Sequence, residues 1–158
     1  MRFLLAGLLT ACAGAATADT QPRSGQWAGV YHFVDAAGCP AEMVAQMQTA
    51  PPQMRSYSTR IDFPDPFDPV ALQAYDASFL WRRVAPDVWA ATHTQAEDTG
   101  MGRLTTVSNF TLRVLSETRM QQDAELIVHF PPQLVAMLGM GSETCVTRSQ
   151  IQHAYQGE

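Results

Sequence analysis

The sequence predicts one mainly β domain, an antiparallel barrel or a strongly curved sheet with two short helices. Three observations lead to this fold class. Apolar and polar residues alternate with the period of two that half-buried strands show. Glycine, proline and aspartate turns separate about seven such segments. The connections between residues 81 and 130 are short, as in a meander of neighbouring antiparallel strands.

The first predicted strand covers residues 26–34, and a turn over 35–38 ends it. Alternation places four of its residues on one face, three of them aromatic: Trp27, Gly29, Tyr31 and Phe33. A short helix over 40–48 follows, because proline suits the first helical turn and Glu42 lies near the positive end of the helix dipole.

The same alternation predicts six further strands, over residues 55–63, 78–84, 88–95, 103–118, 124–130 and 144–155. A proline-rich loop over 64–69 and a helical turn over 70–75 separate the second and third strands. The polar sequence Gln-Gln-Asp predicts a turn over 121–123. A second helix is predicted over 133–138, where Gly139 can cap its end.

The first eighteen residues have the pattern of an export signal. Arg2 precedes a short apolar run over residues 3–9, and residues 16–18, Ala-Thr-Ala, have the small-x-small pattern that precedes signal-peptidase cleavage. The apolar run is too short to span a bilayer as a permanent helix. The sequence therefore predicts removal of residues 1–18 and a periplasmic domain over 19–158.

A second interpretation of the leader rests on residues 9–12, Leu-Thr-Ala-Cys, which resemble the bacterial lipobox. That resemblance implies removal of residues 1–11 and lipidation of Cys12. A lipid on Cys12 would anchor the protein to the outer membrane, whereas cleavage after Ala18 would leave it soluble. The sequence leaves the two alternatives open.

Composition excludes several function classes. The chain is 46% hydrophobic and only 16% charged, which indicates a folded core rather than disorder. From Asp19 onward, fifteen acidic residues face nine arginines, so the formal charge is −6 and a nucleic-acid partner is disfavoured. Lysine is absent, which excludes Schiff-base lysines and phosphate-loop lysines.

No catalytic motif stands out in the sequence. The chain has no Gly-x-Ser-x-Gly elbow, no His-Glu-x-x-His pair and no glycine-rich nucleotide loop. The sequence thus favours a non-catalytic protein without a cofactor. A triad or carboxylate pair assembled in space leaves no sequence trace, so an enzyme remains an open alternative.

Two cysteines remain once Cys12 is removed or lipidated. An even pair in an oxidising compartment predicts a disulfide between Cys39 and Cys145. This bond would join the region of the first strand to the last strand. Neither Cys39 nor Cys145 is part of a Cys-x-x-Cys redox motif.

Residues 25–27, Gly-Gln-Trp, are similar to the glycine-x-tryptophan signature of lipocalins and related calycin-like barrels. In those proteins the tryptophan closes one end of the barrel. The resemblance implies a calycin-like barrel whose interior holds a small apolar ligand. The residues expected to line it are Trp27, Tyr31, Phe33, Phe79, Trp81, Phe110 and Leu112. The alternative is that these side chains simply fill the core.

Methionine and histidine raise the question of a metal. Met43 and Met47 are one helical turn apart, and Met137 and Met140 nearly so, which fits core packing, an adaptable protein-binding surface or a Cu(I) site. The four histidines lie in predicted strands without the spacing of metal ligands: His32, His93, His129 and His153. No metal site is predicted from them.

Three functional hypotheses follow. The first is a non-catalytic envelope protein that binds a small apolar or amphipathic ligand. The second is a structural or accessory envelope protein that binds another protein through residues 43–54 and 134–140. The third is periplasmic metal handling, of copper in particular.

Overall fold

The structure is a computed structural model that describes residues 19–51, 55–72 and 79–158. The predicted leader, with Cys12 and both proposed cleavage sites, lies outside the described residues. Met54, residues 73–75 of the predicted helical turn and residue 78 of the predicted third strand lie outside them as well.

Strands dominate the described part of the chain. In chain order, its elements are β1 (Gly25–Ala37), α1 (Ala41–Thr49), β2 (Ser56–Ile61), a 3₁₀ turn (Pro69–Leu72), β3 (Arg82–Ala85), β4 (Val88–Thr99), β5 (Gly102–Ser116), β6 (Arg119–His129), α2 (Pro132–Leu138) and β7 (Thr144–Gly157). The predicted mainly β class with two short helices is therefore confirmed. Gly139 ends α2 in the left-handed conformation, as its predicted role as a cap requires.

All seven strands form one antiparallel sheet in the order β2-β1-β7-β6-β5-β4-β3. The sheet is open, because β2 and β3 lie at opposite edges and do not pair with each other. Of the two architectures predicted from the sequence, the structure has the curved sheet and not a closed barrel.

Both edge strands are shorter than their neighbours. β2 pairs only with residues 25–30 of β1, and β3 pairs only with residues 88–90 of β4. Within the described residues, the outer edges of β1 from His32 and of β4 from Ala91 therefore have no strand beside them. The open sheet keeps two long exposed edges.

The turn predicted over 121–123 is wrong. These residues lie inside β6, and the turn between β5 and β6 is at Glu117 and Thr118. The polar side chains there are satisfied across the sheet rather than by solvent at a turn. Asp123 accepts hydrogen bonds from Arg113 on β5 and from Gln150 on β7. A strand therefore tolerates this polar sequence.

The sheet has two chemically different faces, because residues opposite each other in an antiparallel pair point the same way. One face, which we call the aromatic face, carries Trp27 and Phe33 on β1 and Leu112 and Phe110 on β5. The other face, the polar face, carries ion pairs that bridge neighbouring strands. On it, Arg148 Nε contacts Glu125 at 2.9 Å and Arg148 Nη1 contacts Asp35 at 3.2 Å.

The core occupies one end of the aromatic face. Trp27 is 0% exposed, and its ring packs edge-on against Phe63 and Tyr155, both at 5.7 Å between ring centroids. The series of aromatic contacts continues through Phe67 to Trp89, whose ring centroids are 4.8 Å apart. The segment after β2 supplies Phe63 and Phe67 and so covers this end of the face. We call it the packed half; its buried residues are Trp27, Ile61, Phe63, Phe67, Trp89, Leu112, Val114 and Met120.

The opposite end of the sheet holds the disulfide. The sulfur atoms of Cys39 and Cys145 are 2.00 Å apart, so the pair predicted from the sequence lies at bonding distance. Cys39 follows the last residues of β1, and Cys145 is the second residue of β7. The bond therefore ties the first strand region to the last strand, far from the core.

Candidate functional site

The aromatic face continues beyond the core. Four of its apolar residues are half-buried, and a fifth, Leu126, is 38% exposed. We call this region the open half; it consists of Tyr31, Phe33, Phe110, Leu126 and Ile151. Their strands are central in the sheet, so a strand position alone does not explain their exposure.

One row across the open half alternates large and small side chains. Phe33 on β1 lies opposite Ser149, Ser149 opposite Ala124, and Ala124 opposite Phe110. Phe33 and Phe110 are thus three strands apart, about 14 Å at the usual spacing between strands. Because serine and alanine are small, we infer a shallow trough between the two aromatic side chains.

Two aromatic residues from the segment before β3 border the trough on one side. The Phe79 ring packs against Phe110 at 5.0 Å and against His93 at 5.1 Å. The Trp81 ring lies 6.3 Å from Phe110. This short irregular segment therefore extends the aromatic wall of the open half.

Trp81 also separates two clefts at the β3 edge. One cleft of about 290 Å³ is lined by Pro66, Phe67, Asp68, Pro69, Trp81, Arg83 and Trp89. The other, of about 350 Å³, is lined by Leu80, Trp81, Arg82 and Thr92. The indole Nε1 of Trp81 is buried and has no hydrogen-bond partner in the described part of the chain.

A tyrosine paired with a buried histidine lies between the two halves. His153 is 4% exposed, and its Nδ1 lies 2.5 Å from the Tyr57 hydroxyl. Tyr57 is 39% exposed, but its hydroxyl points inward to this buried ring. The phenol reaches His153 across β1 because Gly29, which lies between them, has no side chain. A Cβ at Gly29 would overlap the Tyr57 ring.

Burial sets the charge of this pair. It lowers the pKa of His153 to about 4 and raises the pKa of Tyr57 to about 12, because the charged form of each group is poorly solvated. Both are neutral near pH 7. We assign the hydroxyl as donor to Nδ1, since a phenol is the better proton donor, which places the imidazole proton on Nε2. That atom is buried without a partner among the described residues.

The structure divides the predicted ligand-lining residues between two places. Trp27 and Leu112, each 0% exposed, belong to the packed half. Tyr31, Phe33 and Phe110 lie in the open half, and Trp81 packs beside Phe110. The set predicted from the sequence thus includes Phe33 and Phe110 at the ends of the row and residues of the packed half, but not Ser149 or Ala124.

Sequence reasoning missed the Tyr57–His153 pair and the role of Arg83 and Phe67 in the 290 Å³ cleft. Gly29 was the available signal for the pair, because a glycine inside a strand often marks a close approach of another group. The cleft had no comparable signal, since its walls come from a proline-rich loop, from the irregular segment before β3 and from two strands.

The two methionine-bearing helices lie at the same end of the sheet as the disulfide, and neither contains a buried residue. Met137 on α2 is 62% exposed, and Leu138 beside it is exposed as well. Met43 and Met47 on α1 are half-buried. Of the two helices, α2 presents the more exposed apolar surface.

Two searches of the described residues gave a negative result. No group of three or more histidine, cysteine, aspartate or glutamate residues there is arranged to hold a metal ion. No helix in residues 19–51, 55–72 and 79–158 is long and apolar enough to cross a membrane.

Comparisons with protein-family models, with curated proteins and with solved structures found no match for this chain.

Proposed function

We propose that this chain is an exported, non-catalytic protein that binds a small apolar or amphipathic ligand on the open half of its aromatic face. The observation that carries the proposal is the trough between Phe33 and Phe110, which lies on four central strands and is floored by Ser149 and Ala124. An apolar molecule in this trough would remove aromatic surface from water, which is favourable at about 25 cal/mol per Å².

The polar face supports this choice of surface. Its side chains pair with one another across strands, for example Arg148 with Glu125 and Gln150 with Asp123. A group that is already paired gains little from a further polar partner. The open half, in contrast, has half-buried rings and few polar groups, so it is the surface where an apolar ligand gains most.

The position of Trp27 fits a lipocalin-like use of the fold. Trp27 lies at the start of β1, and its ring is enclosed at the packed end of the sheet. In lipocalins, whose glycine-x-tryptophan signature residues 25–27 resemble, the tryptophan closes one end of the ligand-binding barrel. In this chain the sheet is open, so the proposed ligand would lie on an accessible face rather than inside an enclosed cavity.

A protein partner is the second candidate function. It is favoured by α2, where Met137 and Leu138 are exposed next to each other on a helix without buried residues. Methionine adapts its shape to different apolar partners. Under this alternative, substitution of Met137 and Leu138 by glutamine would abolish partner binding and leave the trough unaffected.

The proposal is tested with the neutral apolar dye N-phenyl-1-naphthylamine, whose fluorescence rises in apolar surroundings. The purified exported protein should bind the dye saturably. Phe33→Ser and Phe110→Ala should each weaken binding about tenfold, or about 1.4 kcal/mol, because each removes one wall of the trough.

Val30→Ser is the matched control, because Val30 lies on β1 but on the polar face and is 42% exposed. It should leave the dye affinity within twofold of that of the unchanged protein. Thermal unfolding of each variant checks that the fold is intact. Absence of saturable binding, or equal losses for Val30→Ser and Phe33→Ser, would overturn the proposal.

A further inference from the structure

The trough row and the two rows next to it contain a few polar side chains that are neither aromatic nor charged. They lie on the central strands β5, β6 and β7: Ser108, Gln122, Thr147 and Ser149. Register gives their face, because directly opposite residues of an antiparallel pair point the same way. Gln122 lies opposite Leu112 of the core. Ser149 lies opposite Phe33 at one end of the trough.

These four side chains have no hydrogen-bond partner within the described part of the chain. All four are half-buried, and their polar atoms remain accessible, unlike the buried Nε2 of His153. Polar side chains on the other face are paired, as Gln150 is with Asp123. The open half therefore has free donors and acceptors that water solvates and that a ligand can reach.

Polar and apolar groups alternate over short distances on this surface. Leu126 lies between Thr147 and Ser108, each one strand away at about 5 Å. Ser149 and Thr147 are two residues apart on β7, or about 7 Å. A long amphiphile with one polar end would cover several of these hydroxyls with hydrocarbon, and each would lose its hydrogen bonds to water. The spacing suits a ligand in which hydroxyl groups and C–H surface alternate as closely.

The absence of charge on these rows favours a neutral ligand. On the described strands β1, β7, β6 and β5, the three rows carry neither a carboxylate nor a guanidinium on the aromatic face. A charged ligand group placed there would lose hydration without gaining a counter-charge. Serine, threonine and glutamine side chains each donate and accept hydrogen bonds, and so do the hydroxyl groups of a ligand.

We propose that the open half binds a neutral glycoside, a sugar ring that carries an apolar aglycone. The sugar hydroxyls take over the hydrogen bonds that water makes with Gln122 and Ser149. The C–H surface of the sugar and the aglycone pack against Phe33 and Phe110. The inference rests on the proposed function, because it uses the same trough and names the class of its amphipathic ligand.

The test uses three probes in NMR titrations of the purified exported protein: phenyl β-D-glucopyranoside, 2-phenoxytetrahydropyran and methyl β-D-glucopyranoside. The first two share both rings and the glycosidic oxygen, but the second has no hydroxyl group. The third keeps the hydroxyls and lacks the apolar aglycone. The phenyl glucoside should bind about tenfold more tightly than either of the others, because only it uses both the free polar groups and the aromatic walls.

Gln122→Met keeps the length of the side chain and removes its hydrogen-bonding groups. It should weaken binding of the phenyl glucoside about fivefold, as expected for one net hydrogen bond, and should not weaken binding of 2-phenoxytetrahydropyran. Ser149→Ala should act in the same direction, by about threefold, and serves if Gln122→Met fails to fold. Gln152→Met is the matched control, because Gln152 lies opposite Val30 on the polar face and is exposed. It should leave the affinity of the phenyl glucoside unchanged.

Equal affinities of the unchanged protein for the phenyl glucoside and 2-phenoxytetrahydropyran would overturn the inference, because the hydroxyl groups would then contribute nothing. Methyl glucoside binding as tightly as the phenyl glucoside would overturn it too, since the ligand would then be a free sugar. Equal losses in Gln122→Met and Gln152→Met would count against this face.

The proposed function fails separately, when N-phenyl-1-naphthylamine does not bind or Phe33→Ser has no effect on dye binding. Dye binding without a preference for the phenyl glucoside would leave the trough as an apolar site and remove the sugar from its ligand.

Discussion

The packed half and the open half of the aromatic face are built from the same strands. Both have apolar side chains at alternate positions of β1, β5, β6 and β7. They differ in what covers them. The segment after β2 brings Phe63 and Phe67 over the packed half. Among the residues that the structure describes, Phe79 and Trp81 border the open half without covering it. Alternation decides which side of a strand is apolar, and the covering segment decides whether that side becomes core or surface.

The two halves are also held together differently. Ring contacts from Trp27 through Phe63 and Phe67 to Trp89 join the packed half. At the other end, the bond between Cys39 and Cys145 ties β1 to β7, where apolar packing is sparse. We interpret the disulfide as the device that keeps the open half ordered.

The largest expected effect comes from removing this bond. Cys39→Ala combined with Cys145→Ala should lower the free energy of unfolding by about 4 kcal/mol, because the bond closes a loop with a sequence separation of 106 residues. Urea denaturation measures the loss. Hydrogen exchange should show the uniform loss of protection that this global effect implies and a further loss in residues 31–37 and 145–151. Uniform loss alone would contradict the assignment of the disulfide to the open half.

A pair of leucines gives the next largest contrast. Leu112 is 0% exposed in the packed half, and Leu126 is 38% exposed in the open half of the same sheet. Leu112→Ala should cost about 3 kcal/mol of stability, because it leaves a cavity in the core. Leu126→Ala should cost less than about 1 kcal/mol.

Urea unfolding followed by tryptophan fluorescence provides both values. If the two substitutions cost the same, the open half is covered as well as the core is, and the distinction between the halves does not hold.

The smallest expected effect concerns the boundary between the halves. Burial lowers the pKa of His153 to about 4, so protonation of this histidine opposes folding. Its full contribution to the free energy of unfolding is therefore present only above its pKa in the unfolded chain, about 6.5. This contribution is lost as the pH falls from about 6.5 toward about 4. Between pH 7 and pH 5 the loss should be about 2 kcal/mol.

His153→Phe isolates this contribution, because other titrating groups are common to both proteins. The free energy of unfolding of the unchanged protein should fall with acid more steeply than that of the variant. Parallel pH profiles for the two proteins would mean that His153 titrates alike in the folded and unfolded chain.

Much of the fold was predictable because it depends on local patterns. Alternation located β1 and β7 within about three residues of their bounds, and Gly139 was correctly assigned as a helix cap. The mainly β class followed from alternation and turn spacing, and the pair of Cys39 and Cys145 followed from the number of cysteines. These features depend only on residues close together in the sequence or on an even number of cysteines.

The errors and omissions depend on distant partners. Residues 121–123 have a turn-like sequence, but Arg113 and Gln150 satisfy Asp123 across two strand pairs. Tyr57 and His153 are 96 residues apart and meet only because Gly29 leaves space between their strands. Closure of the sheet could not be predicted either, since it depends on how the edge strands β2 and β3 come to lie in space.

The short edge strands have a consequence for aggregation. Backbone donors and acceptors along the outer side of β4 beyond Ala91 offer a template on which a foreign strand could add. Glu97 and Asp98 lie in this stretch and are exposed, so an incoming chain would have to bring its own backbone close to two negative charges. Negative charges at a sheet edge disfavour the edge-to-edge pairing by which open sheets grow into fibrils.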